Sequence, residues 1–270
     1  MHDKLQSFRE LLSSLNKVMI AYSGGVDSTF LLKMAKDTLG DNVLAVIGSS
    51  PTYPESELNE AIALCNKLKA RYIVIKTNEF DDQHFISNPT ERCYYCKKEL
   101  FTQLKSIAQA EQIEHILDGS NLDDKKDFRP GSRAKLELGV ISPLMDLGFT
   151  KQEIRDASKQ LGLSTWDKPA CACLASRIPY GTTITPELVK RIEAGETFLK
   201  ELGFIELRVR HHGNLVRIEV DPASLPKIMD EEMMRLISKK FEDLGYTYVT
   251  LDLKGYRLGS MNEEIMIDYV

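Results

Sequence analysis

Residues 17–40 read KVMIAYSGGVDSTFLLKMAKDTLG, and their pattern decides the fold. The apolar run from Lys17 to Tyr22 is typical of a short buried strand, and Thr29 to Leu39 is typical of a helix that ends at Gly40. Between them lies a glycine-rich turn. A turn that leads from a strand into a helix N-terminus collects backbone N–H groups around an anion. The stretch therefore predicts a phosphate-binding turn.

The turn consists of Ser23, Gly24, Gly25, Val26, Asp27 and Ser28. A Walker loop needs a lysine before its final serine or threonine, and this turn has none. It offers Asp27 as a candidate for magnesium binding or positioning, and two serine hydroxyls. We therefore expect ATP to be cleaved with release of pyrophosphate rather than by γ-phosphoryl transfer. The alternative is a helix N-terminus with an incidental glycine turn.

Strands and helices alternate through the N-terminal half. Further strands are predicted at 43–49, 72–77 and 116–118, and helices at 55–70 and 93–112. This alternation predicts an α/β fold with a doubly wound parallel sheet. From Trp166 the pattern changes to one long helix and alternating strands, which predicts a smaller α+β domain. The expected domains are 1–165 and 166–270.

Composition favours an ordinary globular protein with a small-molecule partner. The 270 residues are 43% hydrophobic and carry a net charge of −5, which argues against broad nucleic-acid binding. No apolar run approaches the ~20 residues needed to cross a bilayer. We expect a cytoplasmic protein without a membrane partner. A polar segment, residues 123–132, is expected to form a mobile loop over a site.

The five cysteines are too few for a disulfide scaffold and fit metal-binding or reactive thiols better. Cys93 and Cys96 open a predicted helix at a spacing that presents two thiols to one metal. Cys173 is the candidate for a third ligand, and three cysteines suit an iron–sulfur cluster with one open corner. A redox pair or two buried side chains is the alternative for the first two. Cys65 is expected in the core, and the role of Cys171 stays open.

Six segments spread over nearly the whole chain together resemble the LarE-type sulfur transferases of the PP-loop ATP-pyrophosphatase superfamily. They read SGGVDS, RCYYCKKELF, DGSNLDD, RPG, KPACACLASRIPYG and GYRLGSMNE. The resemblance implies ATP and Mg²⁺ as cofactors and pyridinium biscarboxylic acid mononucleotide as substrate, in making the nickel-pincer nucleotide of lactate racemase. It also implies a homohexamer. Gly119, in the second segment of the superfamily, and Ser50, at the adenine edge, are expected near the nucleotide.

The resemblance implies that the substrate carboxylate is adenylated before sulfur is inserted. In one branch of the family, a cysteine matching Cys173 attacks and gives up its own sulfur, which leaves dehydroalanine. Another branch has three cysteines and is associated with a [4Fe-4S] cluster that holds a transferable sulfide. Cys93, Cys96 and Cys173 place the chain with this second branch. Sulfide or a sulfur donor is expected as a partner, and the identity of any upstream donor stays open.

Basic residues are candidates for the substrate phosphate. Arg208 and Arg210 alternate on one predicted strand and share a face, as expected of a phosphate clamp, although a solvated strand face is the alternative. Arg177 adds a cation beside Cys173. Glu196, in the preceding helix, is a candidate for positioning a metal or the nucleophile, but an exposed helix position is the commoner outcome. His211 and His212 are expected to be turn residues rather than ligands.

Two other functions use the same turn. A tRNA-thiolating or amidating PP-loop enzyme would adenylate in the same way, and a regulatory ATP-binding protein with a structural metal would bind without turnover. The acidic charge and the missing second CxxC pair weigh against tRNA. The length leaves no room for a glutaminase region. The reactive-looking ACACLASR segment weighs against simple binding.

Overall fold

The computed structural model describes residues 2–126, 130–169, 172–257 and 260–262. The chain divides into two compact units: the first comprises Met1–Phe85 with Pro89–Cys171, and the second comprises Ile86–Asn88 with Ala172–Val270. The assignment of residues 1–165 as the PP-loop ATP-pyrophosphatase domain, and of residues 166–270 as the domain for substrate binding, sulfur transfer and oligomerisation, stays a prediction.

Up to residue 169 the chain alternates strands and helices, as its sequence predicts. The strands are β1 (Val18–Ala21), β2 (Val43–Ser49), β3 (Arg71–Lys76) and β4 (His115–Leu117). The helices are α1 (His2–Leu15), α2 (Val26–Leu39), α3 (Glu55–Lys67), α4 (Gln83–Ile86), α5 (Arg92–Ala110), α6 (Gly131–Leu138), α7 (Pro143–Asp146) and α8 (Lys151–Gln160). Short 3₁₀ helices lie at Glu79–Asp81 and Leu122–Lys126.

The four strands form one parallel sheet in the order β3-β2-β1-β4. Val18 in the central strand pairs with Val43 on one side and with His115 on the other. The direction of strand succession reverses between β1 and β4. Open α/β sheets bind ligands in the crevice outside the carboxyl ends of strands at such a reversal. The turn after β1 therefore lies at the expected ligand edge.

Helices cover both faces of this sheet, so the predicted doubly wound α/β fold is confirmed. Successive residues of a strand point to opposite faces. Val18 and Ile20 accordingly pack in a core with residues of α1, α2 and α8. Met19 belongs to a second core cluster with Phe101 and Leu104 of α5.

The second unit has the predicted α+β character. Its helices are α9 (Pro186–Glu201), α10 (Leu225–Ile228) and α11 (Glu231–Asp243), with 3₁₀ helices at Leu174–Arg177, Pro222–Ser224 and Ser260–Asn262. Its strands are β5 (Leu207–His212), β6 (Leu215–Val220) and β7 (Tyr248–Leu251). β5 pairs antiparallel with β6, and β6 pairs parallel with β7. A Cβ on Gly195 would lie 2.7 Å from the Phe241 ring, so this glycine lets α9 approach α11 closely.

The expectation of a continuous loop over residues 123–132 is wrong for the part that the structure describes. Residues 122–126 form a 3₁₀ helix, and α6 begins at Gly131, whereas residues 127–129 lie outside the described ranges. Asn121 helps to organise this segment, since its side-chain oxygen accepts a hydrogen bond from the Asp123 amide at 2.9 Å. No helix in the described ranges is long and apolar enough to span a membrane.

Candidate functional site

The turn after β1 is shaped by Gly24 and Gly25. Gly24 has φ 63°, in the left-handed region that favours glycine. A Cβ there would also lie 2.9 Å from Cβ of Ala61. Gly25 is the N-cap residue of α2, and no side chain caps this helix. Since the first N–H groups of a helix have no partner within it, the N-terminus of α2 presents donors to an anion.

Ser23 and Ser28, at the two ends of the turn, are in hydrogen-bonding contact through their hydroxyl groups. The hydroxyl oxygens of Ser23 and Ser28 lie 3.1 Å apart. The Ser28 hydroxyl also donates to the carbonyl of Gly25 at 3.2 Å. The turn predicted from residues 23–28 is thus a closed, internally bonded structure, with Ser28 buried at its base.

Gly119, which follows β4, packs directly against the start of α2. A Cβ on this glycine would lie 2.8 Å from the amide nitrogen of Ser28 and 3.1 Å from the carbonyl carbon of Asp27. A side chain would therefore collide with backbone, which has little room to move. The structure brings together the two motifs, SGGVDS and DGSN, at the carboxyl edge of β1 and β4.

Asp118 is held by a polar network whose cation the sequence did not reveal. Lys135 of α6 lies 2.9 Å from Asp118 Oδ2, and Ser142 donates to Oδ1 at 2.6 Å. Burial alone would raise the pKa of Asp118, but the Lys135 charge and the hydrogen bonds from Ser142 and Ser120 outweigh it and lower the pKa. Asp118 therefore stays ionised beside the turn.

Asp27 combines an ion pair with an unused acceptor. Its Oδ2 lies 2.8 Å from Lys151 Nζ at the start of α8. Its Oδ1 is buried and finds no hydrogen-bond partner in the described part of the chain. A buried carboxylate oxygen without a donor is a ready ligand for a hard cation such as Mg²⁺. The arrangement fits the predicted role of Asp27 in magnesium binding.

Lys168 and Tyr53 contact the backbone of the same turn. Lys168 Nζ lies 3.3 Å from the Gly24 carbonyl oxygen, and the Tyr53 hydroxyl donates to the Ser23 carbonyl at 2.8 Å. Lys168 also pairs with Glu57 and Glu60 of α3, at 2.7 and 2.9 Å. Burial works to lower the pKa of Lys168, yet these two carboxylates raise it overall. These contacts of Lys168 and Tyr53 were not predicted from the sequence.

Ser50 follows β2 at the same edge of the sheet, and its expected contact with adenine stays a prediction. Its hydroxyl lies 2.8 Å from the hydroxyl of Thr52. Thr52 in turn donates to Glu79 Oε1 at 3.2 Å. Glu79 is buried, and its other carboxylate oxygen has no hydrogen-bond partner among the described residues.

The cysteines lie in both units. Cys93, exposed, and Cys96, half-buried, occupy the first turn of α5 in the first unit, and half-buried Cys173 precedes a 3₁₀ helix in the second. The described residues hold no group of three or more Cys, His, Asp or Glu side chains that could bind a metal ion. Cys65 is buried as expected, and burial raises the pKa of its thiol to about 12. Cys171 lies outside the described residues.

Arg177 and Glu196 form a buried two-point ion pair in the second unit. Arg177 Nε lies 2.8 Å from Glu196 Oε1, and Nη2 lies 2.9 Å from Oε2. Burial tends to raise the pKa of Glu196, but the Arg177 charge and hydrogen bonds lower it. The expectation of an exposed helix position for Glu196 is wrong, because this face of α9 packs against β5, where Glu196 also accepts from the Val209 amide at 3.2 Å.

Arg177 also holds the backbone beside Cys173. Its Nη1 donates to the carbonyl oxygens of Ala172 at 2.7 Å and of Cys173 at 3.1 Å. Glu196 therefore positions Arg177, and Arg177 positions the segment that carries the predicted nucleophile. No direct contact between Glu196 and the thiol is needed for this role.

Arg208 and Arg210 differ in environment, and the clamp stays a prediction. Arg210 is buried and donates to Glu219 and Ser260, each at 2.9 Å. Arg208 is half-buried, and its guanidinium lies 4.8 Å from the centre of the Tyr256 ring. Glu219 was not predicted as a site residue, because a single glutamate in a strand does not indicate which buried residue it will pair with.

The two histidines belong to β5, so the expectation that they form the turn is wrong. His211 is buried, and its Nδ1 lies 3.3 Å from the Tyr246 hydroxyl. The connection to β6 is made instead by Gly213 and Asn214.

Comparisons with known proteins agree with this geometry. Residues 5–93 match the family model described as NAD synthase. A protein of Synechocystis sp., named only as uncharacterized, is 40% identical over 97% of this chain and 98% of its own length. The pyridinium-3,5-bisthiocarboxylic acid mononucleotide synthase of Lactiplantibacillus plantarum is 37% identical over 94% of this chain and 92% of its own.

A likeness of smaller extent links the chain to an amidating enzyme. A glutamine-hydrolysing GMP synthase chain from Thermoplasma volcanium is 27% identical over 57% of this chain and 54% of its own length. The two stronger relatives match nearly the whole chain, and therefore both of its units.

Proposed function

Because the chain belongs to the LarE-type ATP-dependent sulfur transferases of the PP-loop superfamily, we propose that it adenylates pyridinium biscarboxylic acid mononucleotide and replaces carboxylate oxygen with sulfur. The observation that carries this proposal is the turn at residues 23–28. Within the described part of the chain, it combines a helix N-terminus without a side-chain cap and an Asp27 oxygen without a hydrogen-bond partner, which suits a magnesium–triphosphate group.

The first step makes the carboxylate reactive. A carboxylate oxygen of the substrate attacks the α-phosphorus of ATP, the bond from this phosphorus to the bridging oxygen breaks, and pyrophosphate leaves. The N–H groups at the start of α2 stabilise the negative charge on the phosphates. Asp27 would bind the accompanying Mg²⁺ through Oδ1, while Lys151 holds Oδ2.

The second step transfers sulfur. A thiolate or sulfide attacks the acyl carbon, and AMP leaves with the electron pair of the broken C–O bond. Arg177 keeps the Cys173 backbone in place for this step, and the buried Glu196 keeps Arg177 in place. Half-buried Arg208 supplies positive charge for the substrate phosphate, whereas Arg210, which is buried and paired with Glu219, supports the strand that carries Arg208.

We assign the sulfur to a sulfide carried by a [4Fe-4S] cluster rather than to Cys173 itself. The chemistry of the donors supports this assignment, because cysteine thiolates bind iron–sulfur clusters and Cys93 and Cys96 lie three residues apart near the start of α5. Cys173, in the second unit, is the proposed third ligand. When bound, the cluster would supply the transferable sulfide. The assembly proposed with this function is the homohexamer of the family.

Two measurements test the proposal. Pyrophosphate release should depend on the pyridinium dicarboxylate mononucleotide, and release without such dependence would remove the substrate assignment. Protein purified under anaerobic conditions should contain iron and acid-labile sulfide. If both are missing and the intact mass falls by about one H₂S after turnover, Cys173 is the sulfur donor instead. Light scattering of the same sample tests the hexamer.

A further inference from the structure

Two consecutive carbonyl groups in the phosphate-binding turn each contact a side chain from outside the turn. The carbonyl of Ser23 accepts from the Tyr53 hydroxyl at 2.8 Å, and that of Gly24 lies 3.3 Å from the Lys168 ammonium. In a planar trans peptide, the C=O of one residue and the N–H of the next point in opposite directions. The two contacts therefore set the directions of the Gly24 and Gly25 N–H groups.

These two N–H groups are available to a ligand. Neither the Gly24 nor the Gly25 amide donates a backbone hydrogen bond within the described part of the chain. Gly24 has φ 63°, and successive N–H groups around a residue of this conformation form concave anion-binding nests. The donors thus face away from Tyr53 and Lys168.

Lys168 is poorly suited to bind phosphate with its own charge. Its side chain is 11% exposed, and its ammonium pairs with Glu57 at 2.7 Å and Glu60 at 2.9 Å. Arg155 further restrains this residue by donating to its carbonyl oxygen at 2.9 Å. The three N–H donors of the Lys168 ammonium are directed at two carboxylates and the Gly24 carbonyl. The lysine therefore orients the backbone of the turn and does not offer its charge to a phosphate.

We propose that Tyr53 and Lys168 are positioning residues that aim the Gly24 and Gly25 N–H groups at the phosphates of ATP. A hydrogen bond to the carbonyl end of a peptide polarises it and strengthens the donor at the other end, so the two residues also increase the attraction for an anion. This inference rests on the proposed use of ATP. It adds two residues to the phosphate site: Tyr53, from the segment before α3, and Lys168, from the segment after α8.

Affinity provides the first test. Tyr53→Phe and Lys168→Met each remove one donor to the turn and should weaken binding of Mg–ATP and of inorganic pyrophosphate by about five- to tenfold, the usual effect of one such bond. The control variants are Tyr72→Phe, on β3, and Lys67→Met, at the end of α3. Calorimetric titration of the full chain measures affinity, and thermal melting checks that each variant is folded.

The amide signals of individual glycines distinguish a loss of positioning at one N–H group from a general loss of order in the turn. With ¹⁵N-glycine labelling, the Gly24 and Gly25 amide signals should both move when pyrophosphate is added to the unaltered protein. Tyr53→Phe should reduce the shift of Gly24 more than that of Gly25, and Lys168→Met should do the reverse. Unchanged affinities in both variants, or equal losses at both glycines, would overturn the inference. Failure of the unaltered protein to bind ATP or pyrophosphate would instead remove the proposed function.

Discussion

Lys151 places its ammonium 2.8 Å from Asp27 Oδ2 although the two residues are 124 positions apart in the chain. The lysine pairs with one oxygen of the carboxylate, and the other oxygen of Asp27 has no hydrogen-bond partner in the described ranges. The cation that pairs with this turn residue thus comes from another helix, α8.

Asp27→Asn should reduce pyrophosphate release by at least about 100-fold, because the amide keeps the shape of the side chain but no longer offers a charged ligand to Mg²⁺. The loss should not be recovered by raising the ATP concentration alone. Asp37→Asn is the matched control, since this exposed residue of the same helix pairs with its neighbour Lys33. Full activity of the Asp27 variant would contradict the assigned role.

Gly119→Ala should destabilise the first unit by about 1–3 kcal/mol, because the new methyl group would meet backbone atoms of Ser28 at 2.8 Å. Urea denaturation measures the loss in free energy of unfolding. Gly25→Ala provides a comparison for stability alone: its methyl would meet only the Ser23 hydroxyl, at 3.5 Å. Equal stability of the two variants would show that the second motif is not in close contact with α2.

Glu196→Gln should lower the free energy of unfolding at neutral pH by about 3 kcal/mol, since it leaves the buried Arg177 charge without its counterion. The pKa of Glu196 is lowered from 4.5 in the folded chain, so its ion-pair stabilisation is complete above 4.5. It is lost as the pH falls through the lower, folded value.

The pH dependence distinguishes this effect from a general loss of packing. Denaturation curves at pH 7 and at several values below about 4.5 should show less acid sensitivity in Glu196→Gln than in the unaltered chain. Glu201→Gln, on the exposed end of α9, should keep the original profile. An unchanged acid dependence in Glu196→Gln would exclude an ionised carboxylate at this position.

Cysteine substitutions should separate adenylation from sulfur transfer. Cys93→Ser, Cys96→Ser and Cys173→Ser should each lower the iron content, and Cys173→Ser should abolish thiolated product while pyrophosphate release continues. Cys65→Ala is the control and should retain its iron, because that thiol is buried in the core. Retention of iron in all three serine variants would place the cluster elsewhere or exclude it.

Local patterns explain why the phosphate-binding turn could be predicted. Residues 17–40 carry a strand, a turn and a helix in direct succession, so neighbouring residues alone specify the geometry. Lys151 and Lys168 could not be found in this way, because they reach the turn from residues 124 and 144 positions away. The sequence around a lysine does not indicate that its side chain contacts a carboxylate or carbonyl group far away in the chain.

Glu196 illustrates a second limit. Arg191 and Glu193 precede it on α9, and a helix segment rich in charges is typical of a solvated face. The buried partner, Arg177, lies in a short 3₁₀ helix, and the pair becomes apparent only when α9 packs on β5. Charged residues that satisfy one another inside the protein cannot be told from surface charges by periodicity.

Arg177 holds the backbone around Cys173, and this determines what a chemical modification of the Cys173 sulfur would change in the structure. The contacts of Arg177 include the carbonyl oxygens of residues 172 and 173, the Ser176 hydroxyl and the Glu196 carboxylate, which are all oxygen atoms. Chemical modification of the Cys173 sulfur would therefore leave these hydrogen bonds to the backbone in place. A molecule with a modified Cys173 and an unmodified one would therefore share these backbone contacts and differ locally in one side chain.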